Sequence, residues 1–96
     1  ITGGGFYENI PRMLGDNTRA VIEKSAVPVL PIFNCIQRVG NIPERDMFNT
    51  FNMGVGMIFA VNKNDADKAV EVATKMGEEA VILGEVKTGE KGIDLC

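Results

Sequence analysis

The sequence predicts an α+β fold, a mixed and mostly antiparallel sheet of about four strands with helices packed on it. Segments with helical and strand patterns follow one another without strict alternation, which disfavours a regularly alternating parallel sheet. The residues are 45% hydrophobic and 24% charged, as in ordinary globular domains. With 96 residues, the chain can bury roughly 64% of its unfolded surface, which allows one modest core. We therefore expect a small domain or a fragment of a larger one.

The first predicted helix follows three consecutive glycines, Gly3, Gly4 and Gly5. Residues 6–14 carry apolar side chains at helical spacing, and a further glycine ends the pattern. Proline at position 11 is compatible only with the first turn of a helix, where a missing N–H costs little. The glycines should therefore lead directly into the start of a helix.

The next three elements are a strand and two helices. Residues 18–23 alternate between two faces, which predicts a strand. Pro31 suits the first position of a helix whose apolar residues recur at helical spacing and which closes at Gly40. Residues 43–48 predict a second, shorter helical turn.

The most apolar stretch, residues 53–61, predicts a central strand covered on both faces. Residues 64–76 predict the clearest helix, with Asn64 as N-cap and Gly77 just after its end. Its buried stripe is expected to consist mainly of small side chains that allow close approach to a sheet. The stripe comprises Ala66, Ala69, Val70, Ala73 and Met76.

Two strands are predicted at the end of the chain. Residues 80–87 form the first, residues 88–92 turn the chain, and residues 93–95 return antiparallel as a hairpin. A sheet of this size leaves unpaired edges, which proteins usually cover. We therefore expect the isolated polypeptide to pair with another copy of itself.

Composition excludes several kinds of function. The formal net charge of −3 argues against a nucleic-acid partner, which normally faces a basic surface. No apolar run has the length of a membrane span. Without histidine, the chain contains no His-based catalytic triad and no imidazole metal ligand. The two cysteines, Cys35 and Cys96, are too far apart in sequence for a zinc-type pair and are expected to be reduced thiols.

The glycine segment is the first candidate binding site. Consecutive glycines allow backbone N–H groups to approach an anion such as a phosphate without interference from Cβ atoms. Arg12 could add a charged guanidinium and Asn9 a neutral amide, while Glu8 could orient an amine or bind magnesium. The pattern is neither a Walker loop nor a dinucleotide fingerprint. A tight turn without a ligand explains the glycines equally simply.

Residues 49–56 form the second candidate. Amide and hydroxyl side chains lead into a strand interrupted by glycines, which is typical of a wall where backbone closely approaches a ligand. Asn52 and Gly54 are the residues of this segment that we assign to the site. The alternative is that Asn52 caps a loop and the glycines relieve crowding from a neighbouring helix.

Together the two segments resemble one known family. ITGGGFYENIPR at residues 1–12 and MFNTFNMGVGM at residues 47–57 are similar to the C-terminal domain of phosphoribosylformylglycinamidine cyclo-ligases. The resemblance covers essentially the whole chain and identifies it as part of that domain. The N-terminal domain of the family, which binds ATP and dimerises, is absent from residues 1–96.

The resemblance implies a cytoplasmic, ATP- and magnesium-dependent enzyme of purine biosynthesis that forms a homodimer. Such an enzyme closes formylglycinamidine ribonucleotide into aminoimidazole ribonucleotide. It phosphorylates the formyl oxygen, and a nitrogen of the amidine side then displaces phosphate as the ring closes. Most nucleotide and all acidic metal ligands would belong to the missing part, so no metal ligand and no catalytic group is assigned here. This chain would supply a phosphate-binding wall formed by Gly3, Gly4, Gly5, Asn9 and Arg12, with Asn52 and Gly54.

Two other functions fit the same residues. The chain could be a free-standing small-ligand or subunit-interaction module without catalysis. It could also belong to a relative of the cyclo-ligases that acts on a different substrate. The cyclo-ligase interpretation, in contrast, predicts that the isolated chain is inactive and that the upstream region restores turnover.

Overall fold

A computed structural model describes all 96 residues. Helices and strands follow each other irregularly, so the α+β prediction is confirmed. In chain order the elements are α1 (Gly5–Asn9), β1 (Thr18–Ile22), α2 (Pro31–Gly40), α3 (Glu44–Thr50), α4 (Ala66–Lys75), β2 (Gly84–Thr88) and β3 (Gly92–Leu95). Single turns of 3-10 helix span Ile10–Met13, Lys24–Ala26 and Lys63–Asp65.

The sheet has three strands in the order β2-β1-β3. β1 pairs antiparallel with β2, placing Thr18 opposite Thr88, and parallel with β3, placing Arg19 opposite Gly92. The predicted terminal hairpin is therefore wrong, because β1 lies between the two strands and takes the hydrogen bonds of both. Residues 89–91 pass the start of β1, where the Gly89 N–H donates to the Asn17 carbonyl over 3.0 Å.

The predicted central strand at residues 53–61 is also wrong. Met53 and Gly54 both have positive φ angles, 55° and 106°, and turn the chain where extended backbone was expected. The following residues form no ladder, because no backbone lies beside them in register. The strand predicted at residues 80–87 begins later than expected, at Gly84. Just before it, the Leu83 carbonyl accepts the Glu23 N–H at 2.8 Å. The missing strand at residues 53–61 leaves three strands where about four were expected.

The helices agree better with the sequence pattern. α2 and α3 lie where Pro31 and residues 43–48 predicted them. The first helix is shorter than expected, because α1 ends at Asn9 and Pro11 lies in the 3-10 turn that follows. α4 begins after Asp65, not at the predicted cap Asn64, and no side chain caps its N-terminus. Gly77 follows it with φ of 90°, as predicted.

The predicted buried stripe of α4 is not buried. None of its residues belongs to the core or packs against it, and Met76 is 78% exposed. The stripe was inferred from periodicity, which shows that a helix has an apolar side but not that another element covers it.

One face of the sheet carries the core. Ala20 and Ile22 of β1 and Ile93 of β3 pack there against side chains from α1, α3 and the connecting segments. The remaining buried residues are Phe6, Ile10, Leu14, Val27, Met47, Phe48 and Met53. Phe6 and Phe48 meet edge to face with their ring centroids 5.0 Å apart, a favourable aromatic geometry. This contact joins α1 to α3 directly beneath the three glycines.

Candidate functional site

The glycine segment, residues 2–5, lies where α1 packs against α3. Gly5 is buried with φ of 61°, and a Cβ atom there would lie 2.1 Å from the Phe48 carbonyl oxygen. Gly5 is therefore required by the close approach of two backbones. Gly3 is exposed and a Cβ atom on it would meet nothing within 4 Å. The N–H groups of Gly3 and Gly4 donate to no acceptor within the protein.

The Asn9 side chain holds the glycine segment in shape. Its Nδ2 donates to the carbonyl oxygens of Thr2, Gly3 and Gly5 over 3.2, 3.2 and 2.9 Å. Its Oδ1 accepts from the Thr2 hydroxyl at 3.3 Å and from Arg12 Nη1 at 3.4 Å. The amide nitrogen is thus fully occupied by the protein's own backbone, and the amide oxygen points toward Arg12.

Arg12 lies beside a shallow depression of about 310 Å³. Asn9 and Arg12 contribute polar groups to it, and most of the other lining residues are apolar: Ile1, Ile10, Met13, Gly56, Met57 and Ile58. Arg12 is exposed and forms no salt bridge within the chain. Its guanidinium is therefore available to an anion at this surface.

On the other side of the glycine segment, Glu8 folds back over Gly4. A Cβ atom on Gly4 would lie 2.8 Å from Glu8 Cβ and 2.9 Å from its Oε2. Asn49 Nδ2, on α3, donates to Glu8 Oε2 over 2.7 Å and to the Gly4 carbonyl over 3.2 Å. A single amide of α3 therefore holds both the carboxylate and the loop.

Asn52 and Gly54 form the turn that follows α3. Asn52 Oδ1 accepts the Gly54 N–H over 2.8 Å, and the Asn52 carbonyl accepts the Val55 N–H over 2.9 Å. A Cβ atom on Gly54 would lie 3.1 Å from the Pro28 carbonyl oxygen and 3.0 Å from Leu30 Cγ. The turn directs residues 56–58 back toward the depression beside Arg12.

The family of the chain follows from comparison with known proteins. Residues 1–95 match the family model described as AIR synthase related protein, C-terminal domain. The chain belongs to this family. The matched region includes both glycine-containing segments and all three strands of the sheet.

Several similar curated proteins are cyclo-ligases by name. The phosphoribosylformylglycinamidine cyclo-ligase of Lachnoclostridium phytofermentans is 55% identical over 96 residues, which is 100% of this chain and 28% of that protein. Those of Agathobacter rectalis and Acetivibrio thermocellus are 55% and 48% identical, over 99% and 100% of the chain and 28% of each protein. This AIR synthase-related chain thus spans 28% of the length of the relatives that it matches.

The AIR synthase-related domain brings some predicted site residues together and separates others. Asn9 and Arg12 share the depression, and Asn9 contacts the glycine segment. Asn52 and Gly54 lie in the neighbouring turn and do not line the depression. α1 has only five residues, so its dipole adds little to an anion site.

Asn49 was not among the residues assigned from the sequence. It lies within the segment of residues 49–56 that was singled out, yet nothing in that pattern distinguished it from Asn52. The available signal was its place near the end of a short helix, close to the buried Phe48 that faces α1. In this AIR synthase-related domain, Asn49 is the side chain that connects the two segments.

The shortest ion pair of the chain lies at the sheet of this AIR synthase-related domain. Arg19 Nη2 donates to Asp94 Oδ1 over 2.7 Å and to the Ile93 carbonyl over 2.9 Å. The hydrogen bond from Arg19 lowers the pKa of Asp94, and the same bond raises the pKa of Arg19. These residues fix β3 against β1.

The domain contains neither a candidate metal cluster nor a candidate membrane-spanning helix. No group of three or more Cys, Asp or Glu side chains in the domain is arranged to hold a metal ion. None of the helices combines the length and the apolar character needed to cross a membrane.

Proposed function

We propose that this chain forms one wall of the active-site cleft of an ATP-dependent cyclo-ligase of purine biosynthesis. The reaction closes formylglycinamidine ribonucleotide into the imidazole ring of aminoimidazole ribonucleotide. The observation that carries the proposal is identity of 48–55% over essentially the whole chain to proteins named for this activity. Because those proteins are much longer, we expect turnover only from the complete polypeptide.

The task of this wall is to bind the substrate's phosphate. Arg12 supplies a guanidinium that no carboxylate of the chain neutralises, and Asn9 Oδ1 accepts one of its N–H groups. The N–H of Gly3, which donates to no acceptor within the protein, adds a neutral donor. Charged and neutral donors around one anion are the usual composition of a phosphate site.

The other assigned residues shape this wall. Asn9 holds the glycine segment through three carbonyl oxygens, and Gly5 allows it to lie against α3. Asn52 and Gly54 turn the chain so that residues 56–58 complete the apolar side of the depression. In this proposal these residues position the donors, and Arg12 carries the charge.

ATP would supply the phosphoryl group that converts the formyl oxygen into a leaving group. A nitrogen of the substrate then bonds to the formyl carbon, the C–O bond to phosphate breaks, and the nitrogen loses its proton as the ring forms. As the family resemblance implies, ATP and magnesium would be held mainly by the N-terminal domain of the full-length protein. A homodimer in the cytoplasm completes the proposal.

Replacing Arg12 tests the phosphate wall. In the full-length protein, Arg12→Ala should weaken binding of formylglycinamidine ribonucleotide by about 1.5–3 kcal/mol, the range for a hydrogen bond to a charged group. Isothermal titration calorimetry measures this directly. The matched control is Arg38→Ala, because Arg38 is exposed on α2 and forms no salt bridge.

Two results would contradict the proposal at different levels. Unchanged substrate affinity in Arg12→Ala would remove Arg12 from the phosphate site. A full-length protein that binds ATP but never forms aminoimidazole ribonucleotide would contradict the cyclo-ligase function itself and favour a binding module or a different substrate.

A further inference from the structure

We propose that Glu8 determines specificity by pairing with the cationic amidine of the substrate. The proposal rests on the proposed function, since the amidine is the group that distinguishes formylglycinamidine ribonucleotide from its amide counterpart. Glu8 is in this view a binding residue, and Asn49 is the positioning residue that presents its carboxylate.

The first argument is that the Glu8 carboxylate has a fixed place although its side chain is exposed. Asn49 Nδ2 donates to Oε2 over 2.7 Å and bridges to the Gly4 carbonyl over 3.2 Å. The lack of a side chain at Gly4 makes room for the folded conformation, since a Cβ atom would lie 2.9 Å from the carboxyl carbon of Glu8. Ordering an exposed glutamate costs conformational entropy, and binding a ligand would offset that cost.

The second argument is that only a neutral group holds the carboxylate. Five salt bridges are present in the chain, and none of them includes Glu8. Its other oxygen, Oε1, accepts no hydrogen bond from the protein. A carboxylate has about four acceptor positions, so most of its capacity and all of its charge remain available to a cation from outside.

The third argument is charge complementarity. Glu8 and Arg12 lie four residues apart along α1 and the 3-10 turn that follows it. A substrate with a phosphate and a protonated amidine carries both signs of charge, matching one group to each residue. The carboxylate over Gly4 would repel a phosphate there, so it marks the end of the phosphate-binding stretch at Gly3.

The chemistry explains why a carboxylate would discriminate. An amidinium is planar, positively charged and presents N–H donors where an amide presents one carbonyl oxygen. A carboxylate forms charge-assisted hydrogen bonds with the amidinium and repels the amide oxygen. Specificity then arises from attraction to one ligand and repulsion of the other.

The test compares two ligands on the full-length protein. Dissociation constants of formylglycinamidine ribonucleotide and of the matching amide, formylglycinamide ribonucleotide, are measured by calorimetry without ATP. The unmodified protein should prefer the amidine by roughly tenfold to a hundredfold, as expected for a charged hydrogen bond. Glu8→Gln, which keeps the side-chain shape, should reduce this ratio to about threefold or less, because it weakens binding of the amidine and strengthens binding of the amide.

Two further variants separate positioning from general damage. Asn49→Ala should lower the ratio partially, because the carboxylate is no longer fixed, and its thermal unfolding shows whether the fold persists. Glu79→Gln is the matched control, because Glu79 is exposed and forms no salt bridge. It should keep the full ratio.

The outcomes are distinguishable. An unchanged amidine-to-amide ratio in Glu8→Gln overturns the role of Glu8 and leaves the cyclo-ligase function standing. Loss of binding of both ligands by the same factor also overturns it, because that result indicates a structural role. If the unmodified protein binds neither ligand, the proposed function fails and the assignment of Glu8 fails with it.

Discussion

Gly3 and Gly5 are separated by one residue but have different reasons to be glycine. Gly5 lies against the Phe48 and Phe51 carbonyls with a positive φ angle, whereas Gly3 faces open space. A Cβ atom at position 5 cannot be accommodated without moving α1 away from α3. At position 3 the missing side chain leaves the backbone N–H accessible and costs no packing.

This difference predicts opposite effects of two alanine substitutions on the stability of the intact protein. Gly5→Ala should lower the free energy of unfolding by at least about 2–3 kcal/mol, from overpacking added to an unfavourable φ. Gly3→Ala should change it by less than about 0.5 kcal/mol, as at most open surface positions. Urea-induced unfolding of both variants measures the difference. Equal losses would show that the close approach of α1 to α3 does not restrict Gly5.

The candidate site could be predicted only in part at this scale. The sequence identified the glycine run, Arg12 and the second segment, because those residue types have few alternatives in an anion site. It could not show that the Asn9 amide donates its hydrogen bonds to the glycine segment, or that Asn49 is the residue that donates to Glu8. Such roles depend on which helix lies opposite, and that is a tertiary contact with no local sequence pattern.

At the scale of elements, local sequence signals predicted the positions of helices well, but they did not predict which segments pair as strands. Proline and glycine placed α2 and the end of α4, since these residues restrict the backbone directly. The apolar run at residues 53–61 was expected to form a strand, but a strand also needs a neighbouring backbone, and the run begins in the Met53–Gly54 turn. The prediction of a terminal hairpin was wrong for a related reason. The short connection between β2 and β3 does not show that β1 lies between them.

The parallel pairing of β3 with β1 depends partly on Arg19 and Asp94. The hydrogen bond from Arg19 lowers the pKa of Asp94 from its ordinary 3.8. A lowered folded-state pKa adds stability above the unfolded value, and that stability is lost as pH falls through the folded value. Both side chains are accessible to water, so the effect is small and is screened by salt.

Asp94→Asn should therefore lower the unfolding temperature slightly near neutral pH. The difference from the unmodified protein should shrink as the pH falls below 3.8 and disappear once the carboxyl is protonated in both the folded and the unfolded state. Thermal unfolding followed by circular dichroism at several pH values checks this. The control Glu78→Gln alters an exposed carboxylate without a salt bridge. A pH-independent difference for Asp94→Asn would indicate that packing, not the ion pair, is responsible.

Across the whole molecule, the core comes mainly from the first half of the chain, whereas most of the exposed large apolar side chains lie in the second half. The buried residues come mainly from the first half together with β3, whereas α4 contributes none. Large apolar side chains are exposed on the segment of residues 57–61, on α4 and just before β2: Met57, Phe59, Val61, Val72, Met76, Val81 and Ile82. Exposed apolar area of this kind marks surfaces that associate. In a polypeptide as long as the relatives, we expect the remaining residues to cover it.

The isolated 96-residue chain should consequently self-associate. Its average mass in sedimentation experiments should rise with concentration, and Phe59→Lys should shift it toward the monomer, because Phe59 is 76% exposed and a lysine there adds charge to the contact. Val39→Lys is the matched control, since Val39 is 79% exposed but lies on α2. A uniform monomer over a wide concentration range would contradict self-association. Equal effects of both lysines would show that added charge alone, and not the surface formed by residues 57–61, prevents it.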